Sequence, residues 1–306
     1  MRPQALSTMQ WEPLEQSLSP QQQALLPTDQ DVAFYRQHGW FVTPPVIPDD
    51  VIEQAIAGAE RYYQGERDAV LPVNEGFSDW QPRDGLDLVR NNEFVSLQSQ
   101  SLRQLALQPV VGAIAAKLAG THQIRLLDDQ LVYKPPQDHT AQTSVGWHAD
   151  RAYWANCTSD QLLTAWIPFY DCDIDMGPLV VIDGSHQWSG LEHLRGFHRK
   201  DLNQLSAQLQ QMGIDHSIKE IPLALRKGQV SFHNCWTIHG SYPNRSQRTR
   251  LAIAVHLQDG SNRYRPYQND QGQAIHMFDE QLCRTLPNDD PDFSDPSVFP
   301  ELWSES

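Results

Sequence analysis

Four residues of this chain have the types and spacing to hold a metal ion and seat an anion. His148 and Asp150 stand two positions apart in the run Gly146-Trp147-His148-Ala149-Asp150. His239 follows roughly ninety residues later, and Arg250 lies eleven positions beyond it. On a β-strand, residues i and i+2 face the same side, so His148 and Asp150 would point together and Ala149 away. A histidine from a distant strand then completes a 2-His-1-carboxylate face. Three protein ligands on one face of an octahedron leave three open positions, which suits non-haem Fe(II). Two of these can take a chelating 2-oxo acid and the third O2. Two neutral imidazoles and one carboxylate leave a net charge of about +1 on the ion, which favours an anionic chelator.

Arg250 follows from the same logic. The turn-rich run Ser241-Tyr242-Pro243-Asn244-Arg245-Ser246 leads into a strand, Arg250 to Gln258. Its alternation puts Arg250, Ala252, Ala254 and His256 on one face and Leu251, Ile253, Val255 and Leu257 on the other. Small residues beside the arginine leave room for a bound molecule, and a guanidinium can grip a carboxylate through two parallel hydrogen bonds. Ser241 offers a further hydroxyl. Arg248 shares the parity of Arg250 and is its rival. A His-x-Asp triplet alone is weak evidence; the downstream His, the Arg and the strand pattern give it weight. His233 shares parity with His239 and is the rival third ligand, or a residue behind the ligands. His186 follows a Gly-Ser turn and reads as a turn-stabilising residue. His256 shares the arginine's face, in a packed or a substrate-facing role.

Strands must position these groups, and strand signals dominate the middle of the chain. They are Gln123 to Tyr133, Val145 to Tyr153, Leu162 to Tyr170, Leu179 to Ile182, Ile218 to Leu225, Gln229 to Phe232 and Arg250 to Gln258. Turn residues such as Asp175-Met176-Gly177-Pro178 separate them. A helix with the stripe Leu202, Leu205, Leu209 and Met212 interrupts the series over 201–212. Upstream, a helix from Asp31 ends at Gly39 and Trp40-Phe41-Val42 forms a short strand. Asp49 or Asp50 is expected to cap a helix that buries Val51, Ile52, Ala55, Ile56 and Ala59. A helical region over 97–119 is interrupted at Pro109. Residues 65–92 read as a long loop, residues 1–30 as a partly disordered or draped arm, and the aromatic tail from 260 as a clamp on the core. Segments 65–92, 135–146, 153–161 and 190–216 are candidate lids that choose the substrate. Helices followed by many short strands predict an α+β protein on a β-sandwich or barrel, with residues 31–306 as one domain.

Bulk properties narrow the function. The chain is long enough for a large core, at 306 residues. A formal charge of −15 would repel a phosphate backbone, so nucleic acid is not an expected partner. The apolar run Val110 to Ala119 is too short to span a bilayer. The first residues lack a basic segment followed by an apolar one, and the scattered Cys157, Cys172, Cys235 and Cys283 show no paired spacing. Reduced thiols and a cytoplasmic location are expected. Oligomeric state is left open.

Several runs resemble one family. They are Asp129-Gln130-Leu131-Val132-Tyr133-Lys134-Pro135-Pro136, the Trp-His-Ala-Asp element at 147–150, Trp166, Gly177 through His186, and His239-Gly240-Ser241 through Asn244 to Arg250. Over about 31–258 the chain resembles the phytanoyl-CoA dioxygenase (PhyH) family of Fe(II)/2-oxoglutarate oxygenases. The resemblance implies a double-stranded β-helix (jelly roll, cupin-like) core with flanking N-terminal helices. It implies that His148, Asp150 and His239 ligate Fe(II), that Arg250 and Ser241 bind the far carboxylate of 2-oxoglutarate, and that Gln130 and Trp166 border it. In related halogenases a small residue replaces the carboxylate, so Asp150 argues for hydroxylation or a related oxidation. The reaction expected is O2-dependent oxidation of a small organic molecule in specialised metabolism, with release of succinate and CO2. Trp147, Arg151, Tyr153, Trp154 and Trp236 flank the site in sequence and are candidate substrate contacts. Lys134, before two prolines, reads as a solvated strand end, with a substrate role the alternative. A CoA thioester is less favoured, because no basic groove is apparent. A jelly-roll hydrolase or isomerase would keep the three ligands but give Arg250 no task, and a non-catalytic 2-oxoglutarate-binding module is the third reading.

Overall fold

In the computed structural model of the chain, residues 11, 17–72, 85, 88–137, 143–268, 271–275 and 279–305 are described. The N-terminal part is helical: α1 (Pro20–Ala24), α2 (Asp29–His38), then β1 (Trp40–Val42) and α3 (Asp49–Tyr63). α2 starts at a capping box in which Thr28 and Asp31 satisfy each other's backbone N–H, and ends at left-handed Gly39. α3 corrects the expected cap. Pro48 is the N-cap and makes no side-chain bond, while Asp49 and Asp50 sit inside the first turn, where they complement the helix dipole. Leu18, in the stretch expected to be an arm, is buried in the core; residues 1–10 and 12–16 of that arm lie outside the described residues.

β2 (Arg90–Glu93) forms at the end of the stretch expected to be a loop, pairing with β3. Its sequence, Arg-Asn-Asn-Glu, lacks the apolar alternation that would announce a strand. α4 (Gln100–Ala106) and α5 (Pro109–Ala119) follow, then β3 (Gln123–Lys134), β4 (Val145–His148), β5 (Leu163–Pro168) and β6 (Leu179–Ile182). After α6 (Leu205–Gln211) come β7 (Glu220–Pro222), β8 (Ser231–Asn234), β9 (His239–Ser241) and β10 (Arg250–Asp259). The chain closes with β11 (Tyr267–Gln268), β12 (Ala274–Ile275), α7 (Asp279–Leu282) and β13 (Glu301–Ser304).

The strands make a seven-stranded sheet in the order β1-β8-β5-β10-β3-β13, with β2 also on β3, and a four-stranded sheet in the order β4-β9-β6-β7. All these pairings are antiparallel, and the expected mixture of helices and sheet is observed. The alternation read in β10 holds. Leu251, Ile253, Val255 and Leu257 join Ile52, Ile114, Ile167 and Phe232 in the core between the large sheet and the helices. Each such fully buried side chain contributes about 1.5–3 kcal/mol. The opposite face carries Ala252, Ala254 and Trp166, which pack against Leu179, Val181 and Leu223 of the small sheet. In the tail, Phe293 and Phe299 are buried with Phe94 and Leu127, and β13 pairs with β3. Phe278 lies outside the described residues. All four cysteines are buried as thiols. Among the described residues, no helix is long and apolar enough to cross a membrane.

Candidate metal centre and its two pockets

Cross-strand register builds the site. On the large sheet, Asp128, His256, Thr164 and His233 form one row across β3, β10, β5 and β8. Gln130, Ala254, Trp166 and Ser231 form the next, and Lys134 and Arg250 are paired at the far end. Paired residues project from the same face, so these rows look toward the small sheet. There His148 on β4 is the register partner of His239 on β9. Ser241 lies two residues further along β9, on the same side as His239.

The strand carrying His148 ends at that residue, which corrects the expected run to Tyr153. Ala149 is still extended, and Asp150 opens a 3-10 turn through Ala152. The side-chain parity of His148 and Asp150 survives because the break comes after Ala149. Asp150 Oδ1 lies 3.7 Å from His148 Nε2 and 3.4 Å from His239 Nε2. The three donors lie within 4.8 Å of one another. Metal bonds of about 2.1 Å at right angles put donors about 3 Å apart, so these residues fit one ion with little adjustment.

Hydrogen bonds fix which atoms would face such an ion. His148 Nδ1–H donates to the Gly146 carbonyl at 2.8 Å, and His239 Nδ1–H to the Thr237 carbonyl at 3.0 Å. Both rings therefore present an unprotonated Nε2. Burial pushes His148 down to about 3 and His239 down to about 4, so both imidazoles are neutral. Burial opposes ionisation of Asp150, but the surrounding His239, His233 and His256 outweigh it and hold the carboxyl well below the usual range. Its second oxygen, Oδ2, accepts from Thr164 Oγ1 at 2.6 Å and from His233 Nε2 at 3.3 Å. Thr164 has one proton to give, and Oδ2 takes it. Its hydroxyl oxygen in turn accepts from His256 Nδ1 at 2.8 Å. His233 thus stands behind the carboxylate, outside the triad of donors.

Two cavities meet at this triad. The inner one, about 60 Å³, runs past Trp166, Ser241 and Gln130 to Arg250. Arg250 is buried; its Nη1 donates to the Gly177 carbonyl at 2.6 Å, its guanidinium lies 5.4 Å from the Trp166 ring centroid, and its Nε has no partner. No acid faces it among the described residues. A buried guanidinium without a counter-ion fits the carboxylate of a bound diacid. Gly177 is required here. Its φ is +65°, and a Cβ would lie 2.2 Å from the Tyr242 carbonyl. Arg248, the rival, is exposed and lies over Tyr170 instead.

The outer cavity, about 250 Å³, shares His148, Asp150, Gln130, Phe197 and His256 with the inner one and opens past Tyr153 and Trp154. Those two candidate contacts line it. The other three do not, and the structure gives each another task. Trp147 is buried against Val180 and Leu205, and its Nε1 donates to the Leu202 carbonyl at 2.8 Å. Arg151 pairs with Asp160 at 3.0 Å and donates to the carbonyls of Trp154 and Cys157. Trp236 donates to Asp160 at 3.3 Å beside Arg151. All three are sequence neighbours of the ligands whose turn or strand parity directs them away. His186 is the turn residue expected, bonded to the Arg36 carbonyl at 3.1 Å.

Lys134 is a second correction. It is fully buried, with Nζ 2.5 Å from Ser241 Oγ and 2.7 Å from the Tyr242 carbonyl. Sequence reasoning misses Thr164, Asn91, Glu93, Phe94, Asp128, Asn156, Phe197 and His198 as site residues. Thr164 has a readable signal, since it shares parity with Trp166. Phe197 lies in the lid candidate 190–216, and Asn156 in 153–161. Parts of 65–92 and 135–146 lie outside the described residues.

Residues 35–252 match the family described as Phytanoyl-CoA dioxygenase (PhyH). The peroxisomal phytanoyl-CoA dioxygenase of Mus musculus is 25% identical over 233 residues, 73% of this chain and 66% of the relative. A probable alpha-ketoglutarate-dependent hypophosphite dioxygenase of Stutzerimonas stutzeri is 28% identical over 132 residues, covering 43% and 44%. The chain spans about two thirds of the length of the mouse relative. Among solved structures, the alpha-ketoglutarate-dependent carbocyclase SnoK of nogalamycin biosynthesis superposes with a TM-score of 0.66 at 24% identity, over 90% of this chain and 96% of that one. EctD from S. alaskensis, solved with 2-oxoglutarate and 5-hydroxyectoine, gives 0.60 at 20% identity, over 78% and 79%. These structural likenesses establish a shared fold, and the match over 35–252 establishes descent: the chain belongs to the phytanoyl-CoA dioxygenase family of Fe(II)/2-oxoglutarate oxygenases.

Proposed function

We propose that His148, Asp150 and His239 hold Fe(II), that the inner pocket takes 2-oxoglutarate with its far carboxylate on Arg250 and Ser241, and that the outer pocket presents a small organic molecule for oxidation at a C–H bond. Iron, 2-oxoglutarate and O2 together supply the oxidising power, with succinate and CO2 released and the substrate hydroxylated or otherwise oxidised. The residues of the chain do the placing. Trp166 and Gln130 flank the co-substrate, and Ala254 leaves it room. Thr164 and His233 hold Asp150 Oδ2 so that Oδ1 faces the metal. Tyr153, Trp154 and Phe197 offer apolar surface that keeps bulk water from the reacting carbon. We read the two facing sheets as a double-stranded β-helix within one domain of residues 31–306.

One observation carries this reading. A cavity that begins at the three donors ends at a buried guanidinium with no acid facing it among the described residues. A hydrolase or isomerase with the same ligands would leave that cation without a task. The outer pocket is lined by Glu93 and Asp128 and, among the described residues, by no Lys or Arg. That lining disfavours the phosphates of a CoA thioester and supports a compact substrate, as does the 5-hydroxyectoine held by EctD. A role in specialised metabolism is supported by the likeness to SnoK, a carbocyclase of nogalamycin biosynthesis. Cysteines buried as thiols support a cytoplasmic setting.

The test is reconstitution. Under argon, 2-oxoglutarate should bind the Fe(II)-loaded protein and not the metal-free protein. On admission of air, succinate should form slowly even without substrate, and Asp150→Ala should make none. Absence of metal-dependent binding and of succinate would sink the proposal. Tight binding with no succinate would favour a non-catalytic module.

A further inference from the structure

Arg250 and Lys134 are direct cross-strand partners on β10 and β3, and both are buried, at 3% and 0% exposure. Like charges opposite each other on a sheet repel, and a low-dielectric interior sharpens the cost. Among the described residues, the titratable groups facing Lys134 are Arg250, Cys172 and Lys200, and those facing Arg250 are Lys134 and Cys172. Burial pushes the Cys172 thiol up, so it is neutral and offers no counter-charge. Burial, and next Arg250, push the Lys134 amine well below its usual range, so holding it as a second cation costs free energy. With no acid facing them among the described residues, the two groups held as cations side by side would be stabilised by an anion from outside the chain.

We propose that Lys134 is a positioning residue for the co-substrate: it holds the Ser241 hydroxyl with its O–H aimed into the inner pocket and, together with Arg250, makes the far end of that pocket selective for a second carboxylate. This rests on the 2-oxoglutarate reading of the pocket. An ammonium has three donors and no acceptor. Nζ gives one to Ser241 Oγ and one to the Tyr242 carbonyl. Ser241 Oγ must therefore accept, and its own proton is left for an acceptor in the cavity that Ser241 lines. Lys134 does not line that cavity, so it acts through the hydroxyl and through its charge. The far carboxylate of a bound diacid would set one negative charge beside the two groups, whereas a 2-oxo monoacid would chelate the metal and leave the far end uncompensated.

Calorimetric titration of the Fe(II)-loaded protein under argon tests this with two ligands, 2-oxoglutarate and 2-oxobutyrate. Lys134→Met should weaken 2-oxoglutarate about 10- to 100-fold, the range for a hydrogen bond to a charged group, and shift 2-oxobutyrate by less than about threefold. Lys134→Gln keeps a donor for Ser241 but no charge, and should lose diacid affinity selectively but less severely. If Lys134→Met does not fold, Lys134→Gln carries the test alone. Equal losses for the two acids, or undiminished 2-oxoglutarate binding in a folded variant, would overturn the role of Lys134 while leaving the co-substrate reading intact. A wild-type protein that ignores 2-oxoglutarate would overturn both.

Discussion

Thr164→Val isolates the device proposed to aim the Asp150 carboxylate at the metal. The substitution nearly preserves volume and removes one O–H. That O–H is the shorter of the two bonds to Asp150 Oδ2, 2.6 Å against 3.3 Å from His233. The same hydroxyl oxygen receives the His256 Nδ1 proton at 2.8 Å, so its loss leaves a buried donor without its acceptor. A hydrogen bond to a charged group contributes about 1.5–3 kcal/mol. Groups that orient metal ligands typically account for about 10- to 100-fold in metal affinity, which is the same range in free energy. Thr164→Val should therefore raise the Fe(II) dissociation constant by about 10- to 100-fold. Competition against a coloured chelator under argon reads it directly. Thr164→Ser, which restores the O–H, should return most of the affinity. If valine binds iron as well as wild type, or serine as poorly as valine, then the hydroxyl does not aim Asp150.

Arg250→Ala should raise the 2-oxoglutarate requirement through a loss of about 2–5 kcal/mol, with little effect on iron affinity, and Arg248→Ala should leave it unchanged; initial rates against 2-oxoglutarate separate the two, and a response to Arg248 alone would reassign the anchor. Gly146→Ala would put a Cβ 2.1 Å from the Gly196 carbonyl and 2.2 Å from that of Arg199. The segment bearing Phe197, whose ring packs on His148 at 5.2 Å, must then move, and a stability loss of about 1–3 kcal/mol is expected in chemical denaturation, with an unshifted midpoint counting against this contact. Trp154→Ala should alter substrate KM once a substrate is known, whereas Trp236→Ala should lower Tm without altering KM; the reverse pattern would relocate the outer pocket.

Strand parity makes much of the site readable from the residues alone. In β10 the alternation is unbroken from Arg250 to His256, so the face toward the pocket can be assigned residue by residue. His148 and Asp150 pair as strand parity expects, although the strand stops at His148 and a 3-10 turn follows; the pairing holds because Ala149 stays extended. β9 has three residues, one of them glycine, and too little alternation to announce itself. Its pairing with β4 is what brings His239 to His148, and a contact so distant in sequence leaves no local mark. Lys134 defeats a local reading because a charge before Pro-Pro ordinarily marks a solvated strand end. Trp147, Arg151 and Trp236 are candidates only by nearness in sequence, whereas the outer pocket draws Phe94, Leu127 and Phe197 from segments far from the ligands.

A crystal structure of the Fe(II)-loaded protein with 2-oxoglutarate, grown without oxygen and measured at the iron edge, bears most directly on the account. It should show one anomalous peak bonded to His148 Nε2, Asp150 Oδ1 and His239 Nε2, with the far carboxylate of the diacid on Arg250. A peak that recruits His233 in place of His239, or a diacid turned away from Arg250, would contradict it.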